Sequence, residues 1–345
     1  MDRARLARQP ALGLAGITLV VPVMVVLGAG WGGPERSLLV LGPMSTFALP
    51  VIAMIAFWWE DWPGTLLRPP LTGFVDTVLV AVGGIVLTIA GQAVVARVDL
   101  RGVFDPTAGA GHAPTFPGTM PLAGAIFVVM LELTLVTEGW PLRRLNRVAA
   151  GLVTLAVAWG IAILLYETLV AGHGPVQGGE FGGALVCIGV LQVAFYVVLR
   201  GWPFCLLGSR ARRLGAANLA VIAGGVVLYL ALAGAAHLDS ATISAVAGSA
   251  VAAGLVVGML FEGWLDSILP SARARLAKTV GVAGTTVLLY VCLRAYAHAV
   301  GWTHAEPEEW IAYAGLNAIG AGVILHVAIG HRWPFASPEE SAAMT

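Results

Sequence analysis

Ten apolar stretches, each long enough to cross a lipid bilayer as a helix, are the feature that most constrains how this chain can fold. A transmembrane helix needs about 20 consecutive, mainly apolar residues. We therefore predict an all-α polytopic membrane protein with ten transmembrane helices, forming one integral membrane domain over residues 1–345 and no soluble domain. The stretches lie near residues 11–31, 38–59, 75–96, 119–137, 149–170, 181–199, 215–236, 241–261, 279–299 and 309–330.

The composition excludes the common classes of soluble protein. Only 11% of the residues are charged, 58% are hydrophobic and the formal net charge is zero, whereas soluble domains carry about 25% charged residues. A nucleic-acid-binding protein would need a basic face, which this chain lacks. The sequence also contains no nucleotide-binding loop and no hydrolase or kinase motif. We expect the lipid bilayer as a partner, no nucleic acid, no ATPase of the chain's own, and no clear sign of another enzymatic activity.

The basic residues are distributed unequally between the two sides of the predicted membrane domain. The N-terminus, the loops after the second, fourth, sixth and eighth stretches, and the C-terminal tail together hold 15 of the 19 Lys and Arg residues. The opposite side holds Arg36, Arg97 and Arg101. Lys and Arg are enriched in cytoplasmic loops. We therefore predict a plasma-membrane protein with both termini in the cytoplasm and a short cytoplasmic tail over residues 334–345.

A motif centred on tryptophan follows every second apolar stretch, and we call it the Trp motif. Trp is favoured at the membrane interface, and Gly or Pro beside it ends the helix. The recurrence predicts five repeat units near residues 11–62, 75–140, 149–202, 215–264 and 279–333, each a helical hairpin, all inserted in parallel. A ring-like bundle and a curved row of hairpins both fit this pattern. The five copies are Glu60-Asp61-Trp62-Pro63, Glu138-Gly139-Trp140-Pro141, Arg200-Gly201-Trp202-Pro203, Glu262-Gly263-Trp264-Leu265 and His331-Arg332-Trp333-Pro334.

Polar and charged side chains within the apolar stretches are candidates for a transport path. Ionisable residues inside a membrane are costly and usually face the interior of the helix bundle. Glu132 lies in the fourth stretch, Glu167 in the fifth and Arg294 in the ninth, while Asn317 and His326 lie in the tenth. Glu167 and Arg294 are at comparable depths and would pair if their hairpins were neighbours. Each of these residues also has a structural interpretation, as a buried hydrogen-bonding group or an interfacial side chain.

Three histidines recur at the extracytoplasmic ends of equivalent helices. His173, His237 and His298 follow Trp140, Trp202 and Trp264 by 33, 35 and 34 residues. If the repeat axis brought them together, they would form a site suited to a Zn or Cu ion. The alternative interpretation is that they anchor helix ends at the interface. Proton chemistry at these histidines, or their contact with a haem or a quinone, is a further alternative.

Three functions are consistent with these features. The first, which we favour, is a permease or channel-like transporter for a small solute or ion. The second is a non-catalytic membrane subunit that docks a membrane or cytoplasmic partner through the Trp-Pro-Arg segments of its cytoplasmic loops. The third is a membrane metal or redox protein with an extracytoplasmic histidine site.

Overall fold

All regular secondary structure is helical in the part of the chain that the computed structural model describes, which is residues 8–30, 32–68, 71–107 and 109–335. Within those residues, nine helices are long and apolar enough to cross a membrane. The predicted fourth span coincides with a shorter apolar helix of 17 residues, at the lower limit for a transmembrane helix. The helices are α1 Ala11–Gly30, α2 Pro34–Trp59, α3 Leu71–Val95, α4 Leu100–Phe104, α5 Met120–Val136, α6 Arg147–Leu169, α7 Gly178–Val198, α8 Arg210–Gly234, α9 Ser240–Leu260, α10 Trp264–Ile268, α11 Ser271–Ala297 and α12 Pro307–Ile329.

The shorter helix α5 and four of the nine long helices form a closed inner ring. Helices α2, α5, α7, α9 and α12 contact one another in that order, and α12 contacts α2 to close the ring. A side-chain hydrogen bond joins the first two of these helices, because Trp58 Nε1 of α2 donates to Thr134 Oγ1 of α5 at 2.9 Å. The inner helices are largely buried, as expected for helices that contact protein on most sides.

The other five long helices, α1, α3, α6, α8 and α11, form an outer layer. Each packs most extensively on the inner helix that precedes it in the chain: α3 on α2, α6 on α5, α8 on α7 and α11 on α9. The first helix, α1, packs on the last, α12. Their outward faces carry large exposed apolar side chains, such as Leu219 and Leu230 on α8 and Val280 and Val287 on α11. Such continuous apolar surface indicates contact with lipid rather than water, and the chain is therefore a multi-pass membrane protein.

This packing differs from the hairpins expected from the sequence, in which each outer helix would pair with the inner helix that follows it. Small residues on the outer helices account for the difference, because they let two backbones approach closely. A Cβ atom added at Gly84 of α3 would lie 2.8 Å from the carbonyl oxygen of Met44 in α2. One added at Gly225 of α8 would lie 2.6 Å from Cα of Ile188 in α7.

The inner helices end alike, at the end of the bundle that we call the motif end because the five Trp motifs lie there. Each finishes in a π-helical segment. A left-handed residue then stops the helix, with φ of 51° at Glu60, 55° at Glu138, 53° at Arg200 and 49° at His331, and with Gly263 at 74° in the fourth copy. Non-glycine residues seldom adopt this conformation. The π-helical segments are Ile55–Trp59, Glu132–Val136, Val193–Val198, Val256–Leu260 and Leu325–Ile329.

Candidate functional site

A cavity of about 600 Å³ runs along the axis of the inner ring. All five inner helices line it, and it extends from Met120, Gly178 and Ser240, in the first turns of their helices, to Leu135 and Met259 in the π-helical segments. Phe116 and Pro117, from the long connection 96–119, line it at the end opposite the motif end. We call that end the loop end. A cavity of this size is comparable to binding sites for small molecules.

Polar groups are placed unevenly along the cavity. Glu309, Ser240 and Ser244 line it in the first turns of α12 and α9, at the loop end. Ser240 Oγ is within 2.9 Å of Tyr229 OH, and Glu309 Oε2 accepts a hydrogen bond of 2.9 Å from its own capping-box partner, the Glu306 N–H. Towards the motif end the described lining is apolar. It comprises Phe57, Leu135, Val193, Val197, Leu255, Met259 and Ile324.

One polar pair lies in the middle of the cavity wall. Asn317 of α12 donates from Nδ2 to Thr46 Oγ1 of α2 at 2.7 Å. Thr46 Oγ1 in turn donates to the Gly42 carbonyl at 2.8 Å. Asn317 Oδ1 is buried and has no hydrogen-bond partner among the described residues. The wall of the cavity therefore holds a polar pair at about half its depth, at the contact between the first and last inner helices.

Of the five predicted path residues, Asn317 lines the cavity and the others do not. Glu132 is buried in α5, facing α7. Glu167 and Arg294 lie on outer helices and are exposed, and no ion pair joins them in the described structure. His326 is half-buried in the last π-helical segment and stacks edge-on against Phe335. The structure therefore places these candidates in different environments rather than along one path.

The three recurring histidines are also not brought together. His173, His237 and His298 are all exposed, and His298 Nε2 lies 3.0 Å from Glu308 Oε1. They follow the outer helices α6, α8 and α11, which the inner ring separates from one another. Among the described residues no three His, Cys, Asp or Glu side chains are grouped as a metal ion would require.

A polar contact that the sequence did not reveal as a pair joins α5 and α7. Gln192 Nε2 donates to Glu132 Oε2 at 2.8 Å and to the Val128 carbonyl at 3.0 Å. The sequence feature that relates the two residues is their spacing from the tryptophan of the Trp motif. Glu132 and Gln192 precede Trp140 and Trp202 by eight and ten residues, which places them at similar depths in neighbouring inner helices.

At the motif end, ion pairs connect consecutive Trp motifs around the whole ring. Arg147 follows the second motif and pairs with the first, and Arg213 follows the third motif and pairs with the second. In the other three pairs both residues belong to Trp motifs. The strongest geometry is that of Arg213 with Glu138, whose two hydrogen bonds of 2.5 and 2.8 Å keep the pKa of the Glu138 carboxyl below its usual value. The five pairs are Arg147–Glu60 at 3.8 Å, Arg213–Glu138 at 2.5 Å, Arg200–Glu262 at 3.6 Å, Arg332–Glu262 at 3.7 Å and His331–Asp61 at 3.3 Å.

The pair that closes this ring contains an electrostatically unfavourable carboxyl group. Asp61 Oδ2 faces His331, while Asp61 Oδ1 is buried with no hydrogen-bond partner in the described chain. Burial raises the pKa of Asp61 to about 7, and the nearby carboxylates of Asp76 and Glu60 contribute to the increase. The Asp76 carboxyl itself accepts a hydrogen bond of 3.1 Å from the Gly64 N–H. Ionisation of Asp61 therefore gives the contact between the first and last units an electrostatic free-energy cost that the Arg–carboxylate contacts do not have.

Comparisons with protein-family models, curated proteins and solved structures find no match to this chain. The function is therefore inferred from the geometry of the chain itself. Chemically, the central cavity can donate and accept hydrogen bonds near the loop end and can enclose apolar groups near the motif end. That combination suits the binding of a molecule with one polar end.

Proposed function

We propose that the protein is a permease for small amphipathic solutes and that the central cavity is the solute-binding site. The observation that carries this proposal is the position of the cavity, which lies on the axis of a closed ring of five helices and reaches almost from one end of them to the other. A structural bundle without a ligand would be expected to fill its axis with side chains, because empty volume in a packed interior is destabilising.

The lining indicates the chemical class of the solute. The apolar motif end fits a hydrocarbon chain, and the serine hydroxyls fit a hydrogen-bonding head group at the loop end. Glu309 and Glu306 at that end disfavour an anionic head group. We therefore expect a single-chain molecule with a neutral or cationic head. Since the sequence contains no nucleotide-binding motif, the free energy for transport would come from an ion gradient or from a partner subunit.

The same proposal includes the arrangement of the chain in the bilayer. All ten apolar helices would span the plasma membrane as five parallel units, with the motif end and both termini in the cytoplasm. The recurring Trp motif, the repeated π-helical ends and the excess of basic residues at the motif end support this orientation. The predicted tail is included in the proposal, although residues 336–345 lie outside the described structure.

The test fills the cavity without disturbing the surrounding helices. A Cβ atom added at Gly182, a lining residue of α7, would have no heavy atom within 4 Å. The substitution Gly182→Phe should therefore insert a ring into the cavity and abolish solute binding. Gly160 of the outer helix α6 is equally unobstructed but is exposed on the lipid-facing layer, so Gly160→Phe is the matched control.

Purified protein in liposomes would be tested with a fluorescent long-chain alcohol, long-chain amine and fatty acid. We expect saturable binding and counterflow of the alcohol or the amine, weak binding of the fatty acid, and loss of all binding in Gly182→Phe alone. Failure of the wild-type protein to bind any of the three would refute the cavity as a site for amphipathic solutes. Unchanged binding in Gly182→Phe would refute its location.

A further inference from the structure

A second buried polar site lies outside the cavity, between the inner helices α5 and α7. Glu132 is the first residue of the π-helical segment of α5, and Gln192 immediately precedes that of α7. Their relative exposures are 9% and 0%. Neither residue lines the central cavity. π-Helical segments often occur at functional sites, but among the six of the described structure only these two bring a carboxyl and a carboxamide together.

The hydrogen bonds of this pair leave two acceptors unused. Both N–H groups of Gln192 Nε2 are committed, one to Glu132 Oε2 at 2.8 Å and one to the Val128 carbonyl at 3.0 Å. Glu132 Oε1 and Gln192 Oε1 are both buried and have no partner within the described chain. The site therefore presents two oxygen acceptors and no remaining side-chain donor of its own.

No basic group of the described structure neutralises Glu132. Arg213 at the start of α8, which interacts electrostatically with the neighbouring Tyr196, is already bound by Glu138 at 2.5 and 2.8 Å. Tyr196 of α7 lies beside the site, and its hydroxyl is 3.5 Å from the Val136 carbonyl. An ionised carboxylate with no counter-charge is costly in a membrane interior, and an unpaired buried acceptor adds to the cost.

The two oxygen acceptors and the uncompensated carboxylate favour a bound species that carries positive charge. A divalent ion would call for several carboxylates, whereas Glu132 is the one carboxylate of this pair. One carboxyl oxygen and one amide oxygen instead suit a single positive charge. A proton on the carboxyl group and a sodium ion between the two oxygens share this chemistry.

We propose that Glu132 and Gln192 form a binding site for one monovalent cation, either a proton or Na⁺, between α5 and α7. The site is separate from the solute cavity, so cation binding is measurable whether or not the protein transports an amphipathic solute. It would also supply the coupling ion for a transporter that lacks an ATPase.

The first measurement is the thermal unfolding midpoint of the detergent-purified full chain in Na⁺ and in choline at equal ionic strength. A ligand that binds only the folded state raises the midpoint as its concentration increases. For a sodium site we expect a saturating increase in Na⁺ that is lost in Glu132→Gln and retained in Glu167→Gln. Glu167 is the matched control because it is an exposed glutamate in the apolar helix α6.

The second measurement distinguishes a proton from sodium. If the site holds a proton, Na⁺ has no effect, and the infrared carbonyl stretch of a protonated carboxylic acid is present in the wild type and missing in Glu132→Gln. In Gln192→Met, which removes the amide but keeps similar length, that band should move because its hydrogen bond is lost. This variant keeps the test decisive if Glu132→Gln fails to fold.

Two results would overturn the proposal. One is a wild-type protein that shows neither stabilisation by Na⁺ nor a carboxylic acid band that moves in Gln192→Met. The other is an effect of Na⁺ that persists in Glu132→Gln, or a carboxylic acid spectrum that is identical in the wild type and in Glu132→Gln.

Discussion

The buried Asp61 makes a quantitative prediction about stability and pH. Its pKa is raised from 3.8 to about 7 in the folded protein. Between these two values the unfolded chain has released the proton while the folded protein still holds it, so stability falls as the pH rises through this range. The full cost is present above about pH 7. At about 1.4 kcal/mol for each pKa unit, the difference corresponds to about 4 kcal/mol.

This figure is an upper limit, because a protonated His331 at 3.3 Å would offset part of it. The substitution Asp61→Asn removes the charge and keeps the shape. Asparagine also tolerates the left-handed backbone at this position, where φ is 58°. We therefore expect the variant to be more stable than the wild type above about pH 7, by as much as about 4 kcal/mol, and to match it more closely near pH 4.

Unfolding by heat or by sodium dodecyl sulfate in micelles, followed by tryptophan fluorescence at several pH values, measures this difference. Glu60→Gln is the control, because the adjacent Glu60 side chain is 76% exposed and pairs with Arg147 only at 3.8 Å. It should keep most of the wild-type dependence on pH, because burial, rather than the Glu60 charge, is the main cause of the raised pKa of Asp61. The reasoning would be refuted if Asp61→Asn lost stability between about pH 4 and pH 7 as steeply as the wild type, or if it were the less stable protein at high pH.

Two further predictions concern packing and the motif-end ion pairs. Glu138→Gln should lower the free energy of unfolding by about 1 kcal/mol at neutral pH. Because the pKa of Glu138 is lowered in the folded state, the advantage of the wild type should disappear as the pH falls below 4.5. Detergent unfolding at neutral pH and below pH 4.5 measures this difference. Phe47 is fully buried and stacked on Trp159, so Phe47→Ala should cost about 3–5 kcal/mol. A Cβ atom at Gly91 would lie 2.2 Å from the Phe47 ring, so Gly91→Leu should destabilise the wild type. In Phe47→Ala the same substitution should fill the space left by the ring and restore part of the stability. A double-mutant cycle measures this reversal in the sign of the effect.

Hydrophobic length and the Trp motif were enough to predict the helices and their ends. A run of about 20 apolar residues has few alternatives to a transmembrane helix, because backbone polar groups cannot remain unpaired in lipid. The fourth span is the instructive exception. The helix coincides with the predicted apolar stretch 119–137, but it begins only after Thr119, at the end of a long connection. Its 17 residues are at the lower limit for a transmembrane helix, and the last five, from Glu132, are π-helical.

The pairing of helices could not be predicted in the same way. The apolar pattern is satisfied equally well whether each outer helix packs on the inner helix before it or on the inner helix after it. The choice depends on which face of each outer helix carries small residues, as at Gly84 and Gly225, and on what those faces meet. The histidines illustrate the consequence. His173, His237 and His298 recur regularly in the sequence, but they follow outer helices and are kept apart by the inner ring.

The cavity depends on contacts between the two ends of the chain. Helix α1 packs on α12, α12 contacts α2, and His331 faces Asp61, so the first and last units complete the ring. The contact between α12 and α2 holds the Asn317–Thr46 pair. Closing a ring between distant segments has an entropic cost that local hairpins avoid. The Asp61 charge adds to that cost at neutral pH, so the seam between the first and last units should be the least stable part of the wall that encloses the cavity.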